Sequence, residues 1–441
     1  MKTIVALSTP NFKSAIHIIR VSGDKAFECL QKICKPRIEK KGYTIQKVDI
    51  YNGKQKIDEV LLNKFVCPKS YTGEDLIEIN CHGSLYVVNK IIDSLIKSGC
   101  SLAKRGEFTK RAFLNGKISL IQSEAINNLI NSSSDLAIDV ALNGLSDKTN
   151  KVLKKTRDEI FKILGQVEVS IDYPEYDSTP DVSKEQINKI FNDSIKTFQR
   201  IISDSSNVLN IKDGIKVAIV GKPNVGKSSL LNALLKEDKA IVTNIPGTTR
   251  DAIESSCIIN GIKYIFVDTA GIRNTMSKIE SIGIKKSKDS INKADLVILV
   301  LDNSKLLDKQ DKQLLKLVSK KQNITVLNKT DVANKNKING IKISAKKKQI
   351  NELIEYLSSY KNINTLDLTS KILLQSQESV ALLSKALNHL MNAKQIYDEN
   401  INTELLTIDL KECIDILVTI LGLSNDLSFV DELFNKFCVG K

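Results

Sequence analysis

Changes of hydrophobic period along 441 residues predict a multidomain chain: an α+β N-terminal domain, an all-α helical domain, and an α/β domain inserted into the helical one. Residues 1–118 mix strand-like apolar runs with one helical stripe, 119–212 and 367–441 carry helical spacing, and 213–366 alternate strand-like with helix-like segments. That length suits two to four domains with their own cores, and 42 % apolar residues is ordinary for such a chain.

In the first region Thr3 to Leu7, Ile16 to Val21 and Leu76 to Asn80 read as strands, and Leu85 to Lys97 as a helix. Beyond it, Ile126, Leu129 and Ile130, then Ile160, Ile163, Leu164 and Val167, then Ile187, Ile190, Phe191, Ile195, Phe198, Ile201 and Ile202 recur at helical spacing. The breaker Asp172-Tyr-Pro-Glu175 interrupts this pattern. Helical spacing returns at Leu373, Leu374, Leu382, Leu383, Leu387 and Leu390 and at Leu410, Ile414, Leu417 and Leu421. These stripes read as core. Neither helical part can bury its stripe alone, so 119–212 and 367–441 are expected to form one domain around the inserted 213–366.

A net charge of +14 favours a polyanionic partner, although lysines scattered along the chain also make a solvated basic surface. With 5 % aromatic residues and no tryptophan, RNA would be held through phosphate and shape. The eight cysteines form no C-x-x-C pair and read as small buried thiols in a reducing compartment. No apolar stretch approaches the roughly 20 residues of a membrane span, and Met1 to Pro10 carries no leader pattern, so a cytoplasmic protein away from membranes is expected.

The inserted region holds the most informative residues. Gly221-Lys-Pro-Asn-Val-Gly-Lys-Ser228 lies between the strand-like Ile215 to Val220 and the helix-like Ser229 to Leu235. In that setting Asn224, Val225, Gly226, Lys227, Ser228 and Ser229 form a P-loop. Its backbone N–H groups face phosphate, Lys227 neutralises β/γ charge and Ser228 ligates magnesium. Asp268-Thr269-Ala270-Gly271 follows the strand-like Tyr264 to Val267, as in a switch segment whose carboxylate reaches magnesium through water. Asn328-Lys329-Thr-Asp331 follows Ile324 to Leu327, and an aspartate there accepts both N1–H and the exocyclic amine of guanine. Ser344-Ala345-Lys346 follows Ile341 to Ile343 and suits a backbone contact to the guanine carbonyl. Order and spacing define a GTP-binding α/β domain of the Ras-like P-loop class.

Together with Asn224, the segment Thr243-Asn244-Ile245-Pro246-Gly247-Thr248-Thr249-Arg250-Asp251, the Asp268 to Arg273 switch and the terminal Phe437-Cys-Val-Gly-Lys441 resemble the MnmE (TrmE) family of tRNA-modification GTPases. Ile18-Ile-Arg-Val-Ser-Gly23, Tyr71-Thr-Gly-Glu-Asp75, Glu78, Cys81-His-Gly83, Gly106-Glu-Phe-Thr109, Arg111 to Lys117 and Ile171 to Glu175 extend the likeness along the whole chain. The chain departs from the pattern at Asn11-Phe-Lys-Ser14, Ser84, Arg105 and Ser119.

The resemblance implies an N-terminal domain that binds a tetrahydrofolate derivative (5-formyl or methylene) and forms a homodimer. It also implies a hetero-oligomer with the flavin-dependent partner MnmG, or GidA, which brings FAD and NADH. The pair would add aminomethyl or carboxymethylaminomethyl groups to carbon 5 of the wobble uridine in certain tRNAs. Carried over, Arg20, Glu78, Lys117 and Lys441 would meet the folate, and Cys438 would have chemistry of its own. Judged by residue type alone, the first four equally make surface ion pairs. His82 reads equally as a functional group or a satisfied structural histidine.

A Ras-like switch orients water with a glutamine where this chain has Ile272, which can neither donate nor accept a side-chain hydrogen bond. The resemblance supplies a potassium ion instead, held by Asn224, Thr243, Ile245 and Thr248 when two G domains meet. Thr249 would join Ser228 on magnesium, Glu280 would order the attacking water, and Arg250 would stabilise the switch. A GTP-regulated ribosome-assembly switch is the alternative. Folate binding favours the first reading, and ribosome co-sedimentation with unaltered wobble uridine the second.

Overall fold

The computed structural model describes residues 2–172, 184–235, 255–267, 290–360, 368, 370–399, 403–423, 434, 437 and 440. It divides into two compact units, one of Met1–Asn127, Ser146–Phe198 and Ala381–Lys441, the other of Asn128–Leu145 and Gln199–Val380.

The N-terminal region runs β1 (Ile4–Leu7), β2 (Ile16–Ser22), α1 (Ala26–Gln31), β3 (Cys34–Lys35), β4 (Thr44–Asn52), β5 (Gln55–Phe65), β6 (Leu76–His82), α2 (Leu85–Ser98), β7 (Ser101–Leu102) and α3 (Glu107–Leu114). The strands form one sheet in the order β3-β4-β5-β6-β2-β1-β7, antiparallel except for the β1–β7 pair. Alternation along the strands gives the sheet two faces. Ile19 and Val21 of β2 and Ile77 and Ile79 of β6 pack with Val88, Ile91 and Leu95 of α2. On the other face, Ile4 and Ala6 of β1 pack with Phe108 of α3. The β4–β5 hairpin has no counterpart in the strands expected from sequence, although Asn52-Gly53 between alternating segments is the usual signature of a tight hairpin.

Helices α4 (Leu120–Ile130), α5 (Asp135–Leu145), α6 (Lys148–Asp172) and α7 (Lys184–Lys212) follow, and α11 (Gln377–Glu399) and α12 (Thr403–Ile420) come late in the chain. Their apolar stripes are core, as the spacing predicts: Ile160, Ile163, Phe191, Phe198, Leu383, Leu390, Leu410 and Leu417 are all buried.

Between α7 and α11 lie β8 (Ile215–Val220), α8 (Lys227–Leu235), β9 (Ser255–Ile259), β10 (Ile262–Phe266), β11 (Leu296–Asp302), α9 (Lys309–Val318), β12 (Asn323–Asn328), β13 (Ile341–Lys342) and α10 (Asn351–Tyr360). The sheet order is β13-β12-β11-β8-β10-β9, parallel except for β9–β10. The unbroken apolar run of β11 suits a parallel strand covered on both faces. Ile298 and Val300 enter one cluster, and Val297, Leu299 and Leu301 enter the other.

The thiols are not all buried, contrary to what composition suggests. Cys29, Cys34, Cys81, Cys100, Cys257 and Cys413 are buried, but Cys67 is exposed. It sits in the turn after β5, where its N–H donates to Asp75 Oδ1 at 3.0 Å and leaves the side chain outside the sheet packing.

Candidate functional site

In the second unit, β8 ends where the loop 221–226 begins, and α8 starts at Lys227, two residues earlier than the sequence pattern suggests. Lys227 and Ser228 therefore lie in the first helical turn, beside N–H groups that have no intrahelical acceptor. Asn224 adopts a left-handed φ of 64° and Gly226 a φ of 99°. A Cβ on Gly226 would lie 2.1 Å from Asn328 Nδ2, so only glycine lets the loop approach β12 this closely.

Asn328 ties the parts of this region together. Its buried side-chain amide donates to the Val225 carbonyl at 2.8 Å and accepts from the Ala345 N–H at 3.0 Å. Asp331 Oδ1 accepts from the Ser344 hydroxyl at 2.7 Å. That hydroxyl, reinforced by nearby Lys347 and Lys346, holds the exposed Asp331 carboxyl below the ordinary carboxylate range. Lys329 Nζ donates to Asp302 Oδ2 at 2.7 Å. Burial raises the Asp302 carboxyl, but the bonds from Lys329 and Ser304 outweigh it and bring it below its ordinary value. Lys227 Nζ donates to the carbonyls of Gly221 and Lys222, both at 2.7 Å, and burial pulls its ammonium down. The structure thus gathers Val225, Gly226, Lys227, Asn328, Asp331, Ser344 and Ala345 at the carboxyl ends of parallel strands, where ligands of such sheets bind. Asn224, Ser228 and Ser229 belong to the same loop and first helical turn, and Lys346 follows Ala345 in chain.

Thr243, Asn244, Ile245, Pro246, Gly247, Thr248, Thr249, Arg250, Asp268, Thr269, Ala270, Gly271, Ile272 and Glu280 lie outside the described residues, as do Cys438 and Lys441.

The first unit carries a second polar constellation. Arg20 of β2 lies directly opposite Glu78 of β6, on the sheet face away from Ile19 and Val21. Its Nη2 and Nε both donate to Glu78 Oε1, at 2.7 and 3.1 Å. The guanidinium carbon stands 5.5 Å from the centre of the Tyr71 ring and 5.6 Å from that of Phe108. Lys117 Nζ donates to the Pro68 carbonyl, in the same turn that supplies Tyr71. Beside this group lies Gly440. Arg20 Nη1 and Ser8 Oγ donate to the Gly440 carbonyl at 3.2 and 3.1 Å, while Phe437 packs in a small cluster with Phe434 and Leu120.

Residues of four motif stretches in this unit make internal contacts. Glu74 accepts two bonds from Arg111 Nη1, at 3.1 and 3.0 Å, and one from the Ser22 hydroxyl at 2.8 Å, all largely buried. His82, 75 % exposed, pairs its Nδ1 with Asp58 Oδ1 at 2.7 Å. Four contacts were not read from sequence: the bonds of Ser8 and Arg20 to the Gly440 carbonyl, and the ion pairs of Lys222 with Asp308 and Asp311. Each joins residues distant in sequence, so no local spacing announces it.

A mostly parallel six-stranded sheet, a P-loop entering a helix, and the Asn328-Lys-Thr-Asp331 segment bonded to both neighbouring loops define a P-loop GTPase. Family models for the GTP-binding protein TrmE N-terminus and the MnmE helical domain match residues 3–117 and 120–438. A tRNA modification GTPase MnmE of Malacoplasma penetrans is 43 % identical over 445 residues, covering 100 % of this chain and 99 % of that protein. Its counterpart in Mycoplasmoides gallisepticum is 45 % identical over 451 residues, covering 100 % and 98 %. That of Ureaplasma parvum is 42 % identical over 441 residues and covers both chains fully. The chain belongs to the MnmE (TrmE) family of tRNA modification GTPases. Among the described residues no helix is long and apolar enough to cross a membrane.

Proposed function

We propose that this protein is a potassium-stimulated GTPase that acts with a flavin-dependent MnmG-type partner on the wobble uridine of certain tRNAs, adding an aminomethyl or carboxymethylaminomethyl group to carbon 5. It works as a homodimer in the cytoplasm, and its domains are 1–118, a helical domain of 119–212 and 367–441, and the inserted 213–366. The observation that carries the reading is the pairing of two built sites in one chain, a P-loop tied to guanine-type loops in one unit and the Arg20–Glu78 group with the Gly440 carbonyl in the other.

In the first, the loop N–H groups and Lys227 take the phosphates, and Asp331 takes guanine while the Ser344 hydroxyl orients it. Asn328 orders the loops, and Lys329 and Lys346 would border the base by their place in the two guanine motifs. The exposed left-handed Asn224 fits a potassium ligand set completed by Thr243, Ile245 and Thr248, and Ser228 with Thr249 fits magnesium. Potassium there supplies positive charge toward the phosphates. Glu280 orders the attacking water.

In the second, Glu78 is the carboxylate for a pterin amine, and Arg20, Lys117 and Lys441 are the cations for a reduced folate and its glutamate tail. A folate-borne one-carbon unit becomes the added carbon, FAD and NADH come with the partner, and Cys438 is placed by sequence beside this chemistry.

The test compares GTP turnover in potassium and sodium at equal ionic strength, and wobble nucleosides by mass spectrometry in a strain lacking the protein. Turnover should rise in potassium and lose that rise in Asn224→Ala, and wobble modification should vanish. Equal rates in both salts would remove the potassium mechanism, and unaltered wobble uridine chemistry would remove the tRNA role.

A further inference from the structure

We propose that Lys222 is a positioning residue: an ion triad with Asp308 and Asp311 fastens the phosphate-binding loop to the start of α9 and keeps it receptive while Lys227 changes partners. The inference rests on reading 221–228 as the phosphate site. Lys222 Nζ lies 2.6 Å from Asp308 Oδ2 and 2.7 Å from Asp311 Oδ2.

The two carboxylates are already fixed before the lysine reaches them. Asp308 Oδ1 accepts the Asp311 N–H at 3.0 Å and Asp311 Oδ2 accepts the Asp308 N–H at 3.2 Å, a reciprocal cap on α9. Lys222 therefore docks on a rigid target, with little side-chain freedom lost by its partners. The Asp311 side chain is only 6 % exposed, and its Oδ1 is buried without a hydrogen-bond partner among the described residues. Lys222 is the cation that compensates this buried charge.

The other end of Lys222 is equally engaged. Its carbonyl, like that of Gly221, receives Lys227 Nζ at 2.7 Å. A phosphate competes for that ammonium, and when Lys227 turns toward it the loop loses two closing bonds. The tether from Lys222 to α9 and the bond from Asn328 to the Val225 carbonyl remain to hold the loop N–H groups convergent. One lysine against two carboxylates leaves the triad with a net negative charge at neutral pH, so Lys222 is not a counter-ion for phosphate. It acts through loop shape, and GTP and GDP should feel it alike.

The experiment measures dissociation constants of fluorescent GTP and GDP analogues and melting temperature, all on the full chain. Lys222→Met should weaken both nucleotides by about tenfold and be largely rescued by Lys222→Arg. Asp308→Asn, which keeps a good N-cap residue, should weaken both nucleotides more mildly without loss of folding. In an Asp308→Asn, Asp311→Asn background Lys222→Met should add nothing further. Unchanged affinities in Lys222→Met overturn the tether, and so does an undiminished effect in the doubly neutralised background. Weakening of GTP alone would make Lys222 a phosphate ligand and also overturn it. Lys227→Ala separates the underlying assignment: if it binds GTP as the parent does, the phosphate site itself is misplaced.

Discussion

Gly440 shows how much one missing side chain can decide. Its φ is 92°, and a Cβ there would stand 2.3 Å from the Leu7 carbonyl oxygen and 2.8 Å from Ser8 Cα. The close approach lets its own carbonyl receive both Arg20 and Ser8. Gly440→Ala adds left-handed strain of about 1–2 kcal/mol to a backbone collision, enough to break the two hydrogen bonds that the Gly440 carbonyl accepts from Arg20 and Ser8. The expected result is faster amide exchange at Phe434, Phe437 and Gly440, loss of wobble modification, and GTP turnover within about twofold of the parent, since Gly440 lies outside 213–366. Exchange and modification both at parental levels would show that the docked carbonyl is incidental.

At the level of elements, buried charge joins α3 to the turn before β6, and capping charge starts α9. Arg111 is bonded to Glu74, to Glu107 Oε1 at 2.9 Å and to the Lys2 carbonyl at 2.8 Å. Removing one member of such a buried pair costs about 3–5 kcal/mol, whereas replacing both with apolar groups can be close to neutral. Arg111→Leu should therefore destabilise the protein by about that amount, and Arg111→Leu with Glu74→Leu should recover much of it in urea titrations. Additive losses would mean that the pair is not coupled.

For α9, the Lys222 ammonium and the Asp311 amide hold the Asp308 carboxyl at about 2, below its ordinary 3.8. A depressed carboxyl stabilises the fold above its ordinary value and loses that contribution as pH falls from about 4 toward 2. The gap in melting temperature between the parent and Asp308→Asn should thus be largest near pH 6 and close below pH 4. A gap independent of pH would sink the assignment.

For the whole molecule, the hydrophobic cluster on one face of the nucleotide-domain sheet reaches beyond 213–366. Leu136, Val140, Val208, Ile211, Leu368 and Leu373 are buried with Val217, Tyr264, Ile298 and Val326 in one cluster. Each such side chain contributes about 1.5–3 kcal/mol when fully covered. A fragment of 213–366 should still bind GTP but unfold at clearly lower urea than one of 199–380, which retains four of the six residues. Equal midpoints would show that the flanking residues do not support the domain.

The same contrast separates what could be read from sequence. Periodicity exposes stripes such as Ile160, Ile163 and Val167, because burial of one helix face constrains spacing within a single element. The P-loop and the Asn328 to Asp331 segment were legible because phosphate and guanine chemistry demand particular residues at short, fixed intervals. The partners those residues take were not legible. Arg20 and the Gly440 carbonyl are 420 residues apart in sequence, and Lys222 and Asp308 are 86 apart. The 44–65 hairpin could have been found from its turn, because its signal is local. The sequence by itself determined the family, the nucleotide-binding loops and the helical stripes. Only the tertiary structure decided which charges meet and which groups bond the Gly440 carbonyl, because such encounters depend on chain segments brought together by folding and leave no periodic trace in the residues that make them.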